Sequence, residues 1–201
     1  MSESGPRIRT FVAVSVSDAV RTRASQLIER LKSGGAKVSW VAPGNMHMTM
    51  KFLGDQSQEQ VAVIRDAVRQ AAESVGAFEF RCHGVGAFPN ARRPRTIWIG
   101  VSDGAAPLSE LHARIDAALA RHRFAKDRTR FCPHLTLGRV RSSGPGLQVL
   151  GDLLERLKEE PVGSVRASEV LVMASQLLPS GPLYDVLARA PLAGGGQDEA
   201  S

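Results

Sequence analysis

The stretch HMTMKFLG (47–54) returns later in the chain as HLTLGRV (134–140). In both, His and Thr alternate with Met or Leu, the period of a half-buried strand. His47 therefore shares a strand face with Thr49, and His134 with Thr136, while Met48, Met50, Leu135 and Leu137 point to the core. The two His-x-Thr tripeptides lie 87 residues apart. A second pair of β-branched, strand-like segments, RTFVAV (9–14) and RTIWIG (95–100), lies 86 apart. Offsets this similar imply a unit repeated once.

Outward from these strands, each unit fills in alike. Val20, Ala24, Leu27, Ile28 and Leu31 recur at helical spacing and end at Gly34 and Gly35. Leu108, Leu111, Ile115, Ala118 and Leu119 mark the matching helix over 107–120. A short strand and turn is expected over 38–44. A helix over 57–75 precedes a strand at 77–83, and one over 146–159 precedes a strand at 164–174. A last strand, 182–190, completes one sheet. The repeats span 7–90 and 94–178 within a single domain, 1–192. The connecting loop 89–95 carries Pro89 and Pro94, and the tail 193–201, AGGGQDEAS, is expected to be disordered. Short strands joined by helical connections indicate an α+β fold with helices packed outside the sheets.

The 201 residues are 43% hydrophobic, enough for a packed core. No apolar run approaches the ~20 residues of a membrane helix, and MSESGPRIRT lacks a secretory apolar stretch. A soluble, cytoplasmic protein without membrane contact is expected. Cys82 and Cys132 are read as two buried, reduced thiols. CxxC and HExxH patterns are absent, so no metal and no cofactor is expected. A net charge of +6 favours an anionic partner such as RNA or a phosphorylated metabolite. With 5% aromatics, a broad base-stacking platform is disfavoured.

Of five histidines, only His47 and His134 have Thr two residues on. A single such motif is best read as a core histidine bonded to a hydroxyl. Two, in register with an independent repeat, suit displacement at phosphorus, where attacking and leaving oxygens lie on opposite sides. One imidazole deprotonates water while the other protonates the leaving oxygen, and the Thr hydroxyls donate to the non-bridging oxygens. His112 and His122 are expected at the surface, and His83 has no assigned role. Lys51 shares strand parity with His47 and Thr49, so either the cleft or solvent is open to it. Arg139 has the opposite parity to His134 and reaches a phosphate only if the strand bends. Arg92, Arg93 and Arg95 read as an exposed basic loop.

These residues resemble the 2H phosphoesterase superfamily, and within it the RNA 2′,3′-cyclic phosphodiesterases, also called 2′-5′ RNA ligases. The likeness includes RTFVAV, NMHMTMKFLG (45–54), FPNARRPRTIWIGV (88–101), PHLTLGRV (133–140) and SQLLPSGPLYDVL (175–187). It implies a bilobal fold, two antiparallel sheets lining a central cleft that holds both motifs. It implies metal-independent opening of RNA 2′,3′-cyclic phosphate ends to 2′-phosphomonoesters, with ATP-independent 2′-5′ ligation as a side activity. By similarity His47 is the general acid on the 3′ oxygen, His134 the general base, and Arg139 a phosphate ligand. A monomer is expected. The competing readings are a non-catalytic RNA-end-binding module, and a 2H enzyme for another cyclic nucleotide or a 2′-5′ oligonucleotide.

Overall fold

The computed structural model describes residues 6–179 and 181–195. Its strands are β1 (Ile8–Ser15), β2 (Val38–Trp40), β3 (His47–Gln56), β4 (Phe78–Phe88), β5 (Thr96–Val101), β6 (Leu135–Val140), β7 (Pro161–Ala167), β8 (Glu169–Leu178) and β9 (Gly181–Pro191). The helices are α1 (Asp18–Lys32), α2 (Gln58–Glu73), α3 (Ala105–Arg121) and α4 (Gly146–Arg156). A 3₁₀ turn, Pro43–Asn45, leads into β3. Local chemistry sets the helix starts. Ser17 accepts from the Val20 amide at the head of α1, and Ser57 and Gln60 form a reciprocal capping box on α2.

All strand pairings are antiparallel, in the order β7-β4-β5-β6-β3-β1-β8-β9, with β2 on β6. The fold is thus α+β, and its two lobes are halves of one continuous sheet. They join between β3 and β6 through the pair Met48↔Leu135. Each half takes strands from both repeats: β4 of the first lies beside β5 of the second, and β8 of the second crosses to β1 of the first. The helices cover one face, α2 against α3, β8 and β9, and α1 against β7 and α4. The main core lies under them and includes Val12, Val14, Met48, Met50, Ile97, Ile99, Leu135 and Leu137. A small second cluster, Phe11, Ala13, Leu171 and Met173, packs with Tyr184. Strand alternation puts it on the opposite, open face.

Both motif strands carry a β-bulge. On β3, Ala13 faces Thr49 and Val12 faces Lys51, so Met50 is the extra residue. On β6, Trp98 faces Thr136 and Ile97 faces Gly138, so Leu137 is the extra residue. A bulge adds one residue to one strand and thereby inverts the alternation beyond it.

Several expectations change. The strand expected at 164–174 is two, β7 and β8, because the chain leaves β4 for β1 around Ser168. The strand expected at 77–83 runs on to Phe88. The expected disorder of 193–201 falls largely on residues outside the described set, but Ala193 bridges Gly76. His112 is buried on the inner face of α3 rather than at the surface. Cys82 is buried, its thiol pushed up to about 12 by burial, whereas Cys132 is exposed.

Candidate active site

The open face is built from the junction of β3 and β6. Met48 and Leu135 pair with their side chains in the core. Stepping one residue along antiparallel strands puts His47 across from Thr136 and Thr49 across from His134. All four lie on the face away from the helices. The structure thus brings the two sequence motifs together, through strand register alone.

Both imidazoles are held alike. His47 Nδ1 lies 2.8 Å from the Asn45 carbonyl oxygen, and His134 Nδ1 lies 2.8 Å from that of Cys132. A carbonyl only accepts, so Nδ1 carries the proton in each ring and Nε2 is left for other chemistry. In both cases the acceptor is two residues upstream, in the turn that delivers the chain to its strand.

The surroundings differ. Phe11 packs on His47 with ring centroids 4.8 Å apart, and Tyr184 meets the same imidazole edge-on at 5.3 Å. Phe11 and Tyr184 also touch each other, at 5.1 Å. Burial lowers the His47 pKa, and the hydrogen bond to Asn45 only partly opposes this. His134 meets one ring, Phe88, edge-on at 5.1 Å. Beyond Phe88, Trp98 packs against Gly86, where any Cβ would come within 2.4 Å of the indole. Past Trp98 the surface deepens into a cavity of about 830 Å³ bordered by His83, Arg130, Cys132 and Lys158.

The bulges decide the two cations. Beyond Leu137 the alternation flips, so Arg139 comes to the face of His134 and Thr136, exposed, with Nη1 donating to Thr96 Oγ1 at 3.4 Å. Beyond Met50 the same flip turns Lys51 away. Lys51 does not face the cleft. Its side chain is 2% exposed, and Nζ donates to Asp116 Oδ1 at 2.6 Å and Asp127 Oδ1 at 2.9 Å. Phe52 takes the open face instead, 53% exposed, with the Arg9 guanidinium 4.9 Å from its ring.

Sequence reasoning missed Phe11, Phe88, Tyr184 and Arg9. Tyr184 is the chain's one tyrosine and sits in the block GPLYDVL, a signal that was available. Burial raises its phenol, with the charges of Arg139 and Arg9 opposing. Arg92, Arg93 and Arg95 are exposed, as their loop composition implies. Among the described residues, no helix is long and apolar enough to cross a membrane, and no three of His, Cys, Asp or Glu are grouped to hold a metal ion.

Comparison with known proteins gives this geometry a family. A family model described as the 2′-5′ RNA ligase superfamily matches residues 16–176. The RNA 2′,3′-cyclic phosphodiesterase of Methanothermobacter thermautotrophicus is 36% identical over 179 residues, covering 89% of this chain and 95% of the relative. That of Thermotoga maritima is 31% identical, covering 94% and 97%. Among solved structures, a Thermus thermophilus protein aligns at TM-score 0.77 and 23% identity over 92% of this chain and 98% of its own. Apo E. coli LigT aligns at 0.74 and 21%, covering 94% and 99%. The strand order, the facing His-x-Thr motifs and similarity over most of its length have one source: the chain belongs to the 2′-5′ RNA ligase superfamily.

Proposed function

We propose that the protein hydrolyses RNA 2′,3′-cyclic phosphate ends to 2′-phosphomonoesters, with His47 and His134 as a proton-transfer pair. One observation carries this reading: both imidazoles are tautomer-locked by a carbonyl two residues upstream, leaving two Nε2 atoms on one face. A binding module has no use for such a pair, whereas in-line displacement at phosphorus needs one group on each side. The names of the relatives supply the substrate, a cyclic phosphate at an RNA end.

In this scheme His134 Nε2 takes a proton from water as the water attacks phosphorus. The bond from phosphorus to the 3′ oxygen breaks, and His47 delivers its Nε2 proton to that oxygen. Thr49 and Thr136 donate to the non-bridging oxygens as charge builds, and Arg139 adds a third, charged donor. The polarity follows the family resemblance. A buried imidazolium of lowered pKa is also the stronger acid, which suits an alkoxide leaving group. The scheme draws on no metal and no cofactor. The same ring opening, with a ribose 5′-hydroxyl in place of water, forms the bond from phosphorus to the 5′ oxygen, breaks that to the 3′ oxygen and gives a 2′-5′ linkage without ATP.

The test is incubation with a nucleoside 2′,3′-cyclic phosphate and with an RNA bearing that end, before and after exhaustive chelation. Phosphorus NMR should show the 2′-phosphate in both cases. A predominant 3′-phosphate would reverse the substrate orientation. Activity lost on chelation and restored by one divalent ion would remove the two-histidine mechanism.

A further inference from the structure

Two histidines on different strands act as a pair only if their separation is held to a fraction of an ångström. Beside the histidines, β3 and β6 share just the pair Met48↔Leu135, β2 grips the far end of β6, at 138–140, and β5 pairs with β6 from Arg139 back to Leu135. His134 itself precedes β6. It ends the run 124–134, which has neither helix nor strand. The backbone ladder therefore stops at Leu135 and does not hold the run that ends in His134.

Behind the sheet, a chain of contacts does. Lys51 Nζ, two residues past Thr49, donates to Asp116 on α3 and to Asp127 in the loop. The Asp127 amide donates to Asp116 Oδ1 at 3.2 Å. Asp127 Oδ2 accepts from His112 Nε2 at 2.9 Å. The His112 ring stacks on Phe131 with centroids 4.2 Å apart and planes within 7°. Phe131 is bonded to Cys132, whose carbonyl orients His134.

We propose that Lys51, Asp127, His112 and Phe131 form a positioning tether that fixes His134 relative to His47. It touches no substrate and acts through the loop that carries His134. The cluster is an expensive way to fill space: burying an ammonium and its carboxylates costs solvation that a well-packed apolar group would not. What it supplies is direction, because each hydrogen bond sets an angle as well as a distance. Burial pushes the Asp127 carboxyl up, but hydrogen bonds from His112 and Lys51, with their charges, win and hold it below the ordinary range. The assignment of His134 as a catalytic group rests on the function proposed above.

The experiment compares wild type, Lys51→Met, Asp127→Ala, Phe131→Leu and Phe131→Tyr. Each is checked for folding by circular dichroism and assayed on the cyclic phosphate, and each has its histidine rings followed by ¹H–¹⁵N NMR. Asp127 is 37% exposed at its side chain, so Asp127→Ala tests the idea even if Lys51→Met does not fold. Asp127→Ala and Phe131→Leu should lower kcat by about 10–100-fold with KM little changed, the scale expected of a small misplacement. Phe131→Tyr keeps the stack and should keep the rate. The His134 ring signals should move and broaden while those of His47 stay. Folded Asp127→Ala and Phe131→Leu proteins with wild-type kcat and unmoved His134 signals would overturn the tether. Equal disturbance of both histidines would also overturn it, since that marks general loosening. A wild-type protein inert on every cyclic phosphate would sink the proposed reaction instead, and the NMR comparison would still decide the tether.

Discussion

The strands HMTMKF (47–52) and HLTLGR (134–139) can be laid on one another residue by residue. They share a histidine with Nδ1 locked to an upstream carbonyl, a threonine two residues on, and a bulge just after that threonine. They part beyond the bulge. The core side receives Lys51 in one and Gly138 in the other, and the open side receives Phe52 in one and Arg139 in the other. The imidazoles part too: His47 is boxed by Phe11 and Tyr184, while His134 has one edge contact with Phe88. What proton transfer needs twice is duplicated. What gives the site a direction, an exposed guanidinium on one side and a desolvated imidazole on the other, is not. A two-fold constellation becomes a polar site through the neighbours rather than through the motifs.

The strongest way to break this comparison is to remove each imidazole. His47→Ala and His134→Ala should each lower kcat by about 10²–10⁴-fold while the protein stays folded. Near-wild-type turnover in either would show that one histidine suffices. The threonines test the shared part. On the proposed mechanism, Thr49→Ala and Thr136→Ala each delete one hydrogen bond to a charged oxygen, on the order of 1.5–3 kcal/mol, so kcat/KM should fall roughly 10–100-fold in both. Full activity in both variants would leave the hydroxyls a packing role only.

The unshared core positions are tested by stability in denaturant. Lys51→Met leaves Asp116 and Asp127 facing without their cation, a loss of about 3 kcal/mol, discounted because Asp127 is partly exposed. Gly138→Ala places a Cβ 2.7 Å from Val38 Cγ1 and 2.8 Å from Trp40 Cε3, so overpacking should cost about 1–2 kcal/mol. Unchanged denaturation midpoints would mean that neither position is as closely packed as the bulges imply.

The smallest effect concerns pH. Burial holds the His47 pKa below the usual imidazole value. If His47 is the acid, its lowered value moves the kcat/KM maximum toward acid pH, the two limbs reporting the histidine pair together. The bound phosphate anion favours the imidazolium, so kcat itself should peak at a higher pH than kcat/KM. Phe11→Leu should open the box and move the kcat/KM maximum upward in pH. A maximum that stays put would assign the profile to other groups. The same shift acts on folding. A lowered folded-state pKa stabilises above the unfolded value of about 6.5 and is lost as pH falls through the folded one. His47→Gln should therefore flatten the stability profile just below that pH.

The two His-x-Thr strands, the helices and the α+β class were legible in the sequence because alternation and helical spacing are local properties. The preference of imidazole and hydroxyl for phosphoryl chemistry is equally a property of the residues. The directions of Lys51 and Arg139 were not legible. Each follows from a bulge, and a bulge is a mismatch between the residue counts of two paired strands that neither strand records alone. Equally hidden were the sharing of strands between the lobes, the burial of His112, and the approach of Phe11 and Tyr184 to His47. All three depend on which distant strand lies alongside, and only the closed sheet decides that.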